Sequence, residues 1–79
     1  MSRFEEREVC VRDPAGERTV RCLWVPRSGG KVLVLWPAGS AQPGDRVESQ
    51  GQRYRVEVTG EADERFERAT LALEEETQP

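Results

Sequence analysis

Cys10 and Cys22 are the only cysteines in the chain, and it has no histidine. Two thiols without an imidazole or a second cysteine pair cannot complete a tetrahedral zinc site within one chain. The missing imidazole also removes the Ser-His and Cys-His nucleophile pairs. Carboxylates are plentiful, but nearly all fall at outward strand positions or in turns, where no cleft would hold a general acid-base pair. Asp45 has the most conspicuous setting, directly after Pro43-Gly44, and there it is expected to cap its own backbone turn. Gly29-Gly30-Lys31 matches the end of a phosphate loop, but the upstream glycine and the following Ser or Thr are missing, and a strand comes next. Trp24, Trp36 and Tyr54 suit either a base-stacking platform or the core of a small barrel, and the acidic chain favours the core. No catalytic residue, cofactor or metal is expected, and the chain does not read as an enzyme.

Charge and size narrow the classes further. The chain has 79 residues and a net charge of −3, with +2 over residues 1–60 and −5 over residues 61–79. A net-acidic domain without a basic run is poorly suited to tight nucleic-acid binding, which depends on neutralising phosphates. The acidic end reads as a solvated edge strand and tail, or as a surface that meets a basic partner or repels DNA. Arginine outnumbers lysine eleven to one, which suits interfaces built on bidentate pairs with carboxylates. Twenty large apolar side chains make one small domain, too little for a large enzyme with a deep cleft. The longest apolar run, Val32 to Trp36, is far short of the roughly 20 residues a spanning helix needs. Met1 to Glu8 is mostly charged and lacks a signal peptide's apolar block, so a reducing compartment with two buried thiols is expected, a disulfide being the lesser alternative.

The elements that must position these residues read as strands between closely spaced turns. Expected strands run over residues 3–12, 18–25, 31–36, 45–48, 53–59 and 66–74. Asp13-Pro14-Ala15-Gly16 reads as a three-residue hairpin turn with a bulge. That register sets Asp13 opposite Glu17, Cys10 opposite Val20 and Glu8 opposite Cys22, with both thiols diagonal on one face. In the second strand Val20, Cys22 and Trp24 face one way, and Arg21, Leu23 and Val25 the other. Val32, Val34 and Trp36 alternate with Leu33 and Leu35, so the third strand is apolar on both faces and needs a cover on each. One cover is the core and the other a partner chain. Residues 37–44, with two prolines and two glycines, cannot continue a sheet. Tyr54, Val56 and Val58 are expected inward, and Arg53, Arg55 and Glu57 outward. Phe66, Ala69 and Leu73 also have helical spacing within residues 62–76, but the alternation around Thr70-Leu71-Ala72-Leu73 fits a strand better. The fold class is therefore all-β: a small antiparallel barrel or sandwich of about six short strands, one domain over residues 1–74 with a frayed acidic tail over 75–79.

The run Pro43-Gly44-Asp45-Arg46-Val47-Glu48-Ser49-Gln50-Gly51-Gln52-Arg53-Tyr54-Arg55-Val56 resembles the P-G-D-x-V-x-x-x-G-x-x-Y-x-V signature of small β-barrel head–tail joining proteins, the stoppers and adaptors of tailed bacteriophages. The likeness covers about 14 residues well and the last 35 loosely. It implies a non-enzymatic ring subunit in the neck of a virion, assembled in the host cytoplasm. Copies of itself, the portal or an adaptor, and tail proteins would be its partners, and DNA would pass through the channel without sequence-specific binding. Interface candidates are Val32, Val34 and Trp36 on the two-sided apolar strand, and Arg53, Arg55 and Glu57 on the charged face. Glu74, Glu75 and Glu76 become candidates for facing the channel or a neighbouring ring. Similar Gly-Asp turns occur in other small barrels, so the alternative is an SH3-like or OB-like module that binds protein or nucleic acid.

Overall fold

The computed structural model describes residues 4–74. Six antiparallel strands close into a barrel: β1 (Glu5–Asp13), β2 (Gly16–Pro26), β3 (Lys31–Pro37), β4 (Arg46–Ser49), β5 (Gln52–Glu61) and β6 (Phe66–Leu73). Their order around the wall is β1-β2-β3-β6-β5-β4. The choice between barrel and sandwich is decided by β1 and β4, which join through Cys10–Glu48, Val11–Val47 and Arg12–Arg46. Closure removes the open edges that a six-stranded sheet would otherwise offer to aggregation. Among the described residues no helix is long and apolar enough to cross a membrane.

Period-2 alternation fills the barrel. Val9, Val11, Val20, Cys22, Trp24, Val32, Val34, Trp36, Val47, Val56, Ala69 and Leu71 point inward and are buried. The two tryptophans sit toward opposite ends of this core, each with a polar partner. Trp24 packs edge-on against Tyr54, with ring centroids 5.1 Å apart. The Arg7 guanidinium lies 4.3 Å from the Trp24 ring centroid and donates to Ser49 Oγ at 2.8 Å. Trp36 donates its indole N–H to Glu67 Oε2 at 2.8 Å, and Glu67 Oε1 accepts from the Gly39 amide at 3.1 Å. Each indole thus buries its apolar body without stranding its polar surroundings.

Three local geometries differ from the sequence expectation, each for a physical reason. The β1–β2 turn has two central residues, not three: Asp13 pairs with Gly16. Asp13 Oδ1 accepts from the Ala15 and Gly16 amides at 2.8 and 3.0 Å, tightening the turn, and Gly16 adopts φ +145°. Cys10 therefore pairs with Thr19, and Cys22 with Arg7. This one-residue change sends Cys10 to the outer face and Cys22 to the core, so the thiols lie on opposite sides of the wall. Second, β5 carries a bulge between Val56 and Val58. The extra residue reverses the alternation, leaving Val58 56% exposed instead of buried. Third, β4 begins at Arg46, because Asp45 still belongs to the preceding turn: its Oδ2 accepts from the Gln42 amide at 3.0 Å. The β4–β5 reversal is a two-residue turn with Gln50 at φ 51° and Gly51 at φ 80°, the mirror-image geometry that matches strand twist.

The long connection over residues 38–45 crosses one barrel mouth and is pinned by Arg18. This side chain pairs with Asp13 at 2.7 Å, donates Nε to the Ser40 carbonyl at 3.1 Å and donates Nη2 to the same oxygen. The Arg18 hydrogen bond, then the Ala15 amide, hold the Asp13 carboxyl below its ordinary value. Its ionised form therefore favours the fold above the usual carboxylate range, and that contribution is lost as pH falls.

Candidate interaction surface

With the core filled by inward side chains, any function rests on the outward ones. The paired registers arrange these in rows across the wall. One row runs Glu6, Leu23, Leu35, Arg68 over β1, β2, β3 and β6. The next runs Val25, Leu33, Thr70, Val58 over β2, β3, β6 and β5. Leu23, Val25, Leu33 and Leu35 are half-buried, although they face away from the core. Phe4, 55% exposed, and Phe66, 39% exposed, extend the patch at its borders. A groove of about 360 Å³ opens between Glu6, Arg21, Leu23, Leu35, Pro37 and Phe66. A second, of about 220 Å³, lies between Phe4, Val25, Leu33 and Arg68. The apolar centre of both rows lies on β2 and β3, with Glu6 and Arg68 bounding the first row and Thr70 and Val58 continuing the second. A continuous apolar surface of this kind marks a contact site more than scattered exposed leucines would.

The opposite side of the barrel is charged. Arg12 pairs with Glu48 at 3.1 Å and Glu17 at 3.3 Å, Arg53 with Glu48 at 3.9 Å, and Arg46 with Glu74 at 3.4 Å. Glu48, then a side-chain hydrogen bond to Cys10, raise the Arg12 guanidinium above its ordinary value. These pairs are well solvated, so they set surface polarity and register more than stability.

The interface candidates separate on this map. Val32, Val34 and Trp36 are 5%, 0% and 0% exposed and pack inside the chain's own barrel, which removes them as contact residues. The strand does have two apolar faces, but its outward one is Leu33 and Leu35. Arg53, Arg55 and Glu57 are exposed on β5, and Glu57 pairs with Lys31 at 2.6 Å. Glu74 closes β6, its amide donating to the Arg53 carbonyl at 2.8 Å. Glu75 and Glu76 lie outside the described residues. The outward facing of Leu23, Val25, Leu33 and Leu35 follows from alternation, and the indoles explain why that face stays outside: side chains as large as Trp24 and Trp36 claim the interior. Val58 is added to this surface only by the bulge, and Phe4 lies at its border just before β1.

Both indoles are buried, so neither presents a ring face for stacking on the outside. Asp45 serves its turn and lies 3.9 Å from Arg18. No group of three or more metal-ligating side chains forms among the described residues. Compared with protein-family models, curated proteins and solved structures, the chain matches none.

The thiols make a direct check of the wall geometry. Cys10 is half-buried on the outer face, its Sγ 3.6 Å from Glu17 Oε1. Burial pushes the Cys22 thiol from 9.0 up to about 11. A neutral-to-alkaline thiol reagent is expected to modify Cys10 promptly and Cys22 only on unfolding; two fast equivalents per chain would contradict the register. Because the folded value is the higher one, the Cys22 contribution is complete below pH 9 and is lost as pH rises towards 11. Cys22→Ala is expected to flatten that alkaline limb in urea melts taken at several pH values.

Proposed function

We propose that this chain is a non-enzymatic assembly subunit, a structural part of the ring that joins head and tail in a tailed bacteriophage. The observation that carries the reading is the apolar band on the outer wall, with Leu23, Leu33 and Leu35 at its centre. In a barrel whose interior is filled by its own side chains, this surface is the apolar one available for contact among the described residues. Contacts through the band would hold the subunit to its ring neighbours and to the portal or tail side, in the virion. The charged side, with Arg53, Arg55, Glu57 and Glu74, would face solvent, a neighbouring ring or the channel through which DNA passes.

The signature stretch supports the reading at the level of individual residues. Gly44 takes φ 98°, Asp45 caps the turn, Val47 and Val56 are buried, and Tyr54 packs on Trp24. The resemblance therefore rests on residues with defined structural duties, and the assembly role rests on the wall.

The test establishes whether portal, adaptor or tail proteins are encoded beside its gene, mixes the purified chain with any that are, and examines the products by light scattering and electron microscopy. A ring-shaped complex containing the chain is expected. A strict monomer that ignores these proteins and binds oligonucleotides with a steep salt dependence would instead favour the SH3-like or OB-like module.

A further inference from the structure

We propose that the apolar wall also pairs with the same wall of a second copy, through a two-fold axis running along the strands between β2 and β3. The free subunit thereby covers its wall until an assembly neighbour takes the copy's place. This inference rests on the reading of the wall as a contact surface and adds what occupies it before assembly.

The charge order along the central row carries the argument. Glu6, Leu23, Leu35 and Arg68 are consecutive register partners across β1, β2, β3 and β6. Two leucines hold the middle, and opposite charges hold the ends. A half-turn about an axis in the contact plane, midway between Leu23 and Leu35, lays each leucine near its counterpart. The same rotation sets Glu6 of one copy against Arg68 of the other, twice, as an isologous contact requires. A row with like charges at both ends would repel itself in this arrangement. Val25 and Leu33, register partners in the next row, straddle the same axis.

Glu6 and Arg68 are exposed, and their side chains make no ion pair or hydrogen bond with another described residue. Neighbouring charges do have partners within the chain: Arg21 with Glu8 at 4.0 Å and Lys31 with Glu57 at 2.6 Å. The two charges border the leucines on β1 and β6, and their signs fit a copy of the same surface.

Sedimentation velocity over a concentration series tests the pairing. The wild-type chain is expected to show a reversible monomer–dimer equilibrium. Glu6→Arg and Arg68→Glu alone are each expected to weaken dimerisation at least tenfold, since each substitution acts at two symmetric contacts. The double variant is expected to return to within about threefold of wild type. Thermal melts on the same samples confirm folding, and both side chains are exposed, so none of these changes touches the core. A wild-type chain that stays monomeric at about 100 μM, or a double variant as weak as the singles, would overturn the proposal.

Leu33→Glu, mixed with the portal and tail proteins, keeps the two readings apart. If it loses those proteins while the wild type never dimerises, the pairing is wrong and the assembly reading stands. If the wild type dimerises and Leu33→Glu still binds those proteins, the assembly reading fails through this wall and the pairing stands.

Discussion

Trp36→Ala is expected to lower the melting temperature by about 12–40 °C, enough to leave much of the protein unfolded at 37 °C. Trp36 is 0% exposed within the buried cluster, and a closed barrel wall cannot collapse to refill the volume its removal empties. Emptying a large aromatic site costs about 3–5 kcal/mol, and a domain of this size holds only about 4–12 kcal/mol in total. The indole also donates to Glu67 Oε2 at 2.8 Å, so the alanine leaves that carboxylate oxygen facing the cavity. Trp36→Phe separates the two effects. It restores most of the volume and loses only the N–H, for about 1–2 kcal/mol. Circular dichroism melts of the three proteins measure the difference, and a Trp36→Ala protein melting within a few degrees of wild type would contradict an inward Trp36.

The wall should respond in the opposite sense. Leu33→Glu combined with Leu35→Glu is expected to leave the melting temperature within a few degrees of wild type while weakening assembly by about 10²–10⁴-fold. Both leucines face outward on β3, so carboxylates there stay solvated in the free subunit. In an assembled contact each lost leucine removes about 1.5–3 kcal/mol of burial, and the new charges carry their own desolvation cost. Light scattering on mixtures with the neck proteins reads the loss, and melts of the isolated chain exclude unfolding as its cause. Trp36 and Leu35 are adjacent in sequence, yet one substitution should destroy the fold and the other only the contact.

Much of this architecture was legible from residue order. Period-2 alternation in β2 and β3 assigns Trp24, Val34 and Trp36 to one face and Leu23, Leu33 and Leu35 to the other, and turn residues separate the six strands. Closure into a barrel was not legible, because the β1–β4 pairing joins segments some 35 residues apart through ordinary alternating side chains. The Asp13 turn misled by one residue: Asp-Pro-Ala-Gly suits two- and three-residue loops alike, and the Asp13 carboxylate decides between them only in three dimensions. Val58 followed the same alternation as Val56 until the bulge reversed it. The interface candidates on β3 fell on its buried side because hydrophobicity alone ranks Val32, Val34 and Trp36 with Leu33 and Leu35. Size separates the two faces, since the barrel interior must hold the indoles first.

On the proposed reading, the band built on Leu23, Val25, Leu33 and Leu35 is the surface through which this subunit is held. Hydroxyl-radical footprinting measures it side chain by side chain, comparing the assembled chain with the Arg68→Glu variant as a monomeric reference. Strong protection of Leu23, Leu33, Leu35 and Phe66 on assembly, with Tyr54 little changed, is the predicted result. Unaltered labelling of those leucines, with protection confined to the Arg46–Arg55 side of the barrel, would contradict it.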